Sequence, residues 1–485
     1  MATLPIHFRP ALDLSKQLRA RKISAVELLD LCLDQYMKHN EKLNAVVVTD
    51  IDRARKAARD ADKRLAKNKP IGPFDGVPMT IKESFDWRGT PSTWGDPRLR
   101  DNIAKDDAVA VIRMAMAGAN VYGKTNVPLM LADWQSFNEV YGTTNNPWDI
   151  TRSPGGSSGG SAVALATGMA ALEIGSDIGA SIRNPAHYCG VYGHKPTWGV
   201  VPYRGHFLPG IVHPSDISVA GPMARSAGDL AVMMKQLAGS DGVEARGTSI
   251  SLPAAKQRSL KDFRVAVKLS DTVSEVDQPV QDKIAKLAEF LSKRVKIMSM
   301  TARPDFSTRE AMDVYVALLR SATSRRQSDA EFAANAGKVS GFAGGEDSYY
   351  AQMLRAFVMP HRSWLRVNER RHQMRLLWEQ FFESYDVLLC PAAASAAFPH
   401  DHAGERHERT ISVNGKRVAT TDQLFWAGYS CCFYLPSTVA PLGLTPQGLP
   451  SGVQIITRQF DDFTSIRFAE LLEKEYASFV PPPGY

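Results

Sequence analysis

Cysteine is scarce in this chain: Cys32, Cys189, Cys390, Cys431 and Cys432 are five in 485 residues, an odd number without framework spacing. That excludes a disulfide scaffold and suits a reducing compartment. Also missing is any run of 18 or more apolar residues, which excludes a membrane-spanning helix. The opening "MATLPIHFRP" lacks a charged segment followed by a long apolar stretch, so no secretory leader is read there. A cytoplasmic protein without a membrane partner is the expectation. Charge of one sign is not concentrated either. The formal net charge is only +7, and the densest stretch, "DRARKAARDADKRLAKNK", interleaves both signs as a solvated helix face does. Nucleic acid is therefore not an expected partner. There is no internal repeat and no low-complexity tract. Hydrophobic residues at 44% and charged residues at 22% are ordinary for a globular protein with a sizeable core.

What is present alternates between helix and strand signals, which argues an α/β fold. The length alone leaves open one large domain or two closely joined lobes. Ser24 with Glu27 forms a capping box ahead of an amphipathic run, and a charged helix begins near Asp50. "VPMTIKES" reads as a short strand carrying Lys82. "FRVAVKL" and "VKIMSM" read as strands around a helix with Val280, Ile284, Leu287 and Leu291 at helical spacing, a strand-helix-strand unit. Residues 308 to 385 are mostly helical, with Trp364, Trp378, Phe381 and Phe382 expected in the core. "DVLLCP" and "LPSGVQII" are expected as buried strands. The segment from about 70 to 230 is rich in glycine and small residues, and chemistry is expected there.

Two motifs in that segment are misleading. "GANVYGKT", residues 118 to 125, matches the phosphate-loop pattern. However, Val109, Ile112, Arg113 and Met116 recur at helical spacing before it, Gly118 looks like a helix-ending glycine, and Val121 and Tyr122 start a strand. The order is helix, turn, strand, the reverse of what a phosphate loop needs. "GGSSG" around Ser157 matches the nucleophile elbow, yet the preceding "NPWDITRSP" is polar and twice interrupted by proline. An elbow needs a buried strand at that place. His206, His213 and His361 are the histidines a serine triad would draw on, and none stands in a recognisable setting.

A lysine accounts for more of the residues. Serine needs a base to become nucleophilic, and Lys82 sits among Met79, Ile81 and Phe85, where desolvation lowers an amine from its ordinary pKa of about 10.4. The glycines around Ser157 admit backbone conformations closed to other residues, a cis non-proline bond included. "SDIGAS" offers successive N–H groups that converge beside Ser181 as an oxyanion hole. Ser158 and Ser161 are also placed to cap the alanine-rich helix that follows, the reading preferred for Ser161. Cys189 reads as a packed small side chain. The "HDHAGERH" histidines, His400, His402 and His407, read as part of an exposed loop rather than a metal site.

"GVPMTIKES", "GGSSGGS" and "GSDIGASIR" resemble, in order, the diagnostic blocks of the amidase signature family, with Ser157 and Ser181 24 residues apart. "GKTNVP", "CGVYGHKPT", "AGPMARSAGDLA" and "GLPSGVQII" are similar to that family as well. The resemblance covers most of the chain and is weakest from about 240 to 385. It implies one large domain over residues 1–485, with a large mixed twisted sheet flanked by helices on both faces. The signature core lies at about 70–230, a variable helical region at about 240–385, and a return to the sheet at 386–485. It implies that Ser181 is the acylated nucleophile, that Ser157, preceded by a cis peptide bond, passes the proton, and that Lys82 is the base. The backbone N–H groups of Ile178, Gly179, Ala180 and Ser181 would form the oxyanion hole, and Ser158, Asp177 and Arg183 would hold the lysine and loop. One departure is Ala180, where the family usually has a second glycine.

The activity so implied is hydrolysis of a small amide or a carbamate, without cofactor or metal. Trp94, Trp134, Phe137, Trp426, Tyr429, Phe433 and Tyr434 suggest an aromatic-lined pocket and hence a hydrophobic or aryl substrate. Two alternatives accompany this expectation: the glutaminase subunit of a transfer-RNA-dependent amidotransferase, and an inactive scaffold of the same fold. Many such enzymes are dimers by resemblance, so a homodimer is an open expectation, though no heptad or apolar stripe marks it.

Overall fold

The computed structural model describes residues 4–343 and 345–485. Its centre is an eleven-stranded mixed sheet. In chain order the strands are β1 (Val46–Thr49), β2 (Pro78–Lys82), β3 (Asn120–Thr125), β4 (Leu172–Asp177), β5 (Tyr192–Lys195), β6 (Val219–Ala224), β7 (Arg264–Val267), β8 (Ile297–Ser299), β9 (Val387–Pro391), β10 (Ser437–Leu444) and β11 (Pro450–Ile456). Across the sheet they lie β1-β3-β2-β4-β6-β5-β10-β11-β9-β7-β8. The pairs β3-β2, β2-β4, β9-β7 and β7-β8 are parallel. The others are antiparallel. Helices flank the sheet and one hydrophobic core runs through the chain as a single domain. Among the described residues no helix is long and apolar enough to cross a membrane.

Local chemistry explains the elements. Ser24 Oγ accepts from the Glu27 N–H while Glu27 Oε2 accepts from the Ser24 N–H, closing the capping box of the helix Ala25–Leu43. The helix Gln278–Ser292 buries Val280, Ile284, Leu287 and Leu291 and joins the parallel strands β7 and β8. The stretch from 308 holds the helices Thr308–Ser324, Asp329–Ser340, Tyr349–Phe357 and His361–Ser384. Trp378, Phe381 and Phe382 are core, and Trp364 packs against it half-buried.

The phosphate-loop lookalike is the turn its order implied. The helix Val109–Met116 stops, Gly118 takes φ +90°, and β3 carries Gly123, Lys124 and Thr125 inside the sheet. A side chain at Gly118 would place its Cβ 2.5 Å from Asp75 Cα, so the close approach as well as the turn demands glycine. Lys124 is buried and donates to Ser92 Oγ at 3.0 Å and to the Pro91 carbonyl. The face of that helix differs from its apparent spacing: Val109, Ala110, Val111 and Met114 are buried, whereas Ile112 and Met116 are exposed. Alanine at 110 allows close packing that a count of large apolar residues misses.

Candidate active site

Parallel neighbours β2 and β4 end at the same edge of the sheet, the edge where α/β proteins place their ligands. Lys82 closes β2, and Ser176 and Asp177 close β4. The Lys82 Nζ lies 2.6 Å from Ser157 Oγ and 2.9 Å from Ser176 Oγ. Burial pushes its pKa down from 10.5 to about 7, against the opposing pull of Asp177 and Glu173. Desolvation dominates here because the side chain is wholly enclosed.

Ser157 enters from the glycine-rich loop ahead of the helix Gly159–Ala166, and the Gly156–Ser157 peptide is cis. This loop is sealed against backbone: a Cβ at Gly156 would meet the Asp133 carbonyl at 2.4 Å. No strand precedes Ser157, so the elbow geometry is absent. His206 bonds to Ser84 Oγ at 3.0 Å. Neither it nor His213 nor His361 hydrogen-bonds to Ser157 or Ser181 among the described residues.

Ser181 follows β4 in the loop before the helix Arg183–Cys189 and faces a cavity of about 360 Å³ together with Ser157 and Ser176. The Ser158 N–H donates to the Ser181 carbonyl at 3.1 Å, which ties the two serine loops together. Tyr315 donates to the Ile178 carbonyl at 3.0 Å and Trp134 Nε1 to the Gly179 carbonyl at 2.7 Å. A planar trans peptide points its N–H opposite its carbonyl, so both bonds fix the N–H groups that follow.

One of those groups is already used. Ala180 takes φ +68° and its N–H donates to Asp177 Oδ1 at 2.9 Å, which corrects its expected place in the oxyanion hole. Ile178, Gly179 and Ser181 N–H make no hydrogen bond among the described residues, and they are the donors left for a developing oxyanion. Asp177 also accepts from Ile182 N–H at 3.1 Å and from Arg183 Nε and Nη2 at 3.0 and 2.9 Å. Burial opposes its charge, but the Arg183 guanidinium outweighs it and holds the carboxyl down at about 2. Arg183 in turn reaches Ser430 Oγ at 2.8 Å and Gln454.

One supporting assignment and one capping assignment change. Ser158 holds the loop through its N–H but makes no hydrogen bond to Lys82, and its buried hydroxyl has no partner among the described residues; the lysine's second hydroxyl is Ser176. Sequence reading passed over Ser176, although a hydroxyl one residue before Asp177 at a strand end was a usable signal. Ser161 is not a cap: it lies inside its helix with Oγ 2.9 Å from Thr125 Oγ1, since the helix begins two residues earlier.

The aromatic wall is also different from the one expected. Trp94 and Trp134 line the cavity with Tyr203, Phe207 and Phe357. Tyr429 and Phe433 pack on Trp378, and Trp426 packs on Phe425, all in the core. Phe137 stacks on His402 at 3.8 Å and Tyr434 on Trp198 at 4.7 Å. His400 bonds to Asn145 and His407 stacks on Tyr350. The Cys189 thiol packs against the Pro154 carbonyl, and burial pushes it up.

Residues 27–465 match the family model described as Amidase. The chain is 31% identical to an indoleacetamide hydrolase of Bradyrhizobium diazoefficiens, over 97% of this chain and 87% of that protein. It is likewise 31% identical to a subunit of the glutamyl-tRNA(Gln) amidotransferase of Anaeromyxobacter sp., over 96% and 95%. The fold of a bacterial aryl acylamidase superposes with a TM-score of 0.81 at 24% identity, covering 97% of each chain.

Proposed function

This chain belongs to the amidase signature family, whose enzymes hydrolyse carbon–nitrogen bonds, and we propose that it cleaves a small amide through an acyl-enzyme formed on Ser181. Lys82, neutral over half its population near pH 7, takes the proton of Ser157 as Ser157 takes that of Ser181. The serine oxygen attacks the amide carbon, and the oxyanion settles against the N–H groups of Ile178, Gly179 and Ser181. The proton returns by the same route to the leaving amine, and water then hydrolyses the ester. Asp177, locked to Arg183, holds the loop in shape. The apolar part of the substrate lies against Trp94, Trp134 and Phe207, which favours alkyl or aryl amides; a carbamate presents the same carbonyl.

The single observation that carries this reading is the enclosed contact of Lys82 Nζ with Ser157 Oγ at 2.6 Å, beside Ser181 at the cavity wall. Peptide mapping after reaction with a serine-directed fluorophosphonate tests it. One adduct, on Ser181, lost in Lys82→Ala and Ser157→Ala, is the expected result; labelling that survives either change, or none in the unmodified protein, refutes it. A second reading, a protein supplying ammonia to an amidotransferase complex, is favoured by the likeness to the glutamyl-tRNA(Gln) amidotransferase component. Glutamine hydrolysis exceeding that of every neutral amide tried would select it.

A further inference from the structure

The cavity beside Ser181 carries five arginines against two carboxylates. Both carboxylates are committed elsewhere. Asp133 pairs with Arg409 at 2.6 Å, and Glu331 accepts from the N–H and hydroxyl of Ser328 to cap its own helix. Of the arginines, only Arg98 has an acidic partner among the described residues, Asp96 at 2.6 Å. Arg320 donates to the Tyr349 hydroxyl, Arg325 to the His213 carbonyl and Ser215, Arg326 to the Met130 carbonyl at 2.7 Å, and Arg406 to the Ala132 carbonyl at 3.1 Å. All four meet only neutral oxygen among the described residues.

Arg406 and Arg326 are the most exacting. The Nε and Nη2 of Arg406 are buried and have no hydrogen-bond partner among the described residues, while its guanidinium stands 5.6 Å from the ring centre of Trp134. The Arg326 guanidinium stands 5.8 Å from that of Trp94. Both tryptophans also line the cavity, so the cations are held over apolar walls. A guanidinium cannot shed its proton, and its fork of five donors matches a carboxylate in two parallel bonds. Charged donors left unpaired in an enclosed space call for an acceptor of opposite sign.

We propose that this arginine wall binds a carboxylate carried by the substrate, so that the enzyme acts on an amide that is also an anion, such as the monoamide of a dicarboxylic acid. The proposal rests on Ser181 as the nucleophile and deepens that reading. Binding judges it independently of turnover. In Ser181→Ala protein, calorimetric titration is expected to find adipamate, the monoamide of adipic acid, at least about tenfold tighter than hexanamide, its uncharged counterpart with a methyl in place of the carboxylate. Adding Arg406→Gln is expected to cut that advantage below about threefold, and adding Arg326→Gln instead provides a second variant should the first not fold by circular dichroism. Equal affinity for the two ligands, or an advantage untouched by either substitution, overturns the proposal. Fluorophosphonate labelling separates the premises: labelling of Ser181 without a preference for adipamate sinks the anion site alone, and absence of labelling sinks the hydrolase reading while leaving the affinity ratio to decide the anion site.

Discussion

If Lys82 is the base, Ser181 should react with a fluorophosphonate at a rate that follows the neutral fraction of that one amine. With its pKa brought from 10.5 to about 7 by burial, half of the population is neutral at pH 7, against about one part in 3,000 for an unperturbed lysine. The enclosure is thus worth about a thousandfold in available base. Labelling measured from pH 5 to pH 9 should rise about a hundredfold, with slope +1 in log rate below the midpoint near 7 and a plateau above about 8. Glu173, pushed up to about 8 by burial, titrates in the same window, so the profile is repeated in Glu173→Gln, where the limb should persist. In Lys82→Met the limb and the rate should vanish together. A profile flat across the range, or a midpoint above 9 as for a solvated lysine, refutes the assignment.

The same lysine gives a stability signature. Its folded pKa lies below its unfolded one, so between pH 7 and 10.5 the unfolded chain holds more protons. Relative to Lys82→Met, the unmodified protein should therefore gain about 1.4 kcal/mol per pH unit across that window, read from urea unfolding. Ser176→Ala should slow labelling about tenfold by removing one hydrogen bond to the base, whereas Ser158→Ala, which deletes a hydroxyl without a partner, should change stability by less than about 0.5 kcal/mol. Lys124→Ala should cost about 3 kcal/mol of stability, from a cavity and two lost hydrogen bonds, and ATP should not raise the melting temperature of the unmodified protein. Arg183→Met should cost about 3–5 kcal/mol by leaving the Asp177 carboxylate buried and unpaired, measurable as a lowered urea midpoint.

The residues that were legible in the sequence are those whose chemistry restricts their neighbours. Glycines must flank Ser157 where the loop presses on backbone, small residues must follow Asp177, and a lysine within a short apolar strand announces its own desolvation. The contact of Ser176 with the base was missed because it depends on two parallel strands ending together, which no local pattern encodes. Ala180 was counted among the oxyanion donors because the family resemblance carries over positions and not the direction in which each N–H points. Trp426 and Tyr429 on the helix Leu424–Cys431, and Phe433 in the turn after it, were expected at the pocket because sequence does not tell which side an aromatic residue faces. The arginine wall was legible only in part: Arg320, Arg325 and Arg326 lie in one short run, "RSATSRR", but Arg98 and Arg406 come from distant segments, and only the fold brings these charges to one cavity.

Arg183 links the loop after β4 to Ser430 and Gln454, which the ribosome makes 247 and 271 residues later. All three members of the proposed relay exist long before that point in synthesis, but the carboxylate that shapes their loop lacks its anchored partner until β11 docks against β10. Contacts so distant along the chain form late. Competence should accordingly appear in one step only after Gln454 has been made, and a chain cut short before it would hold the serines and the lysine without the anchored loop that positions them.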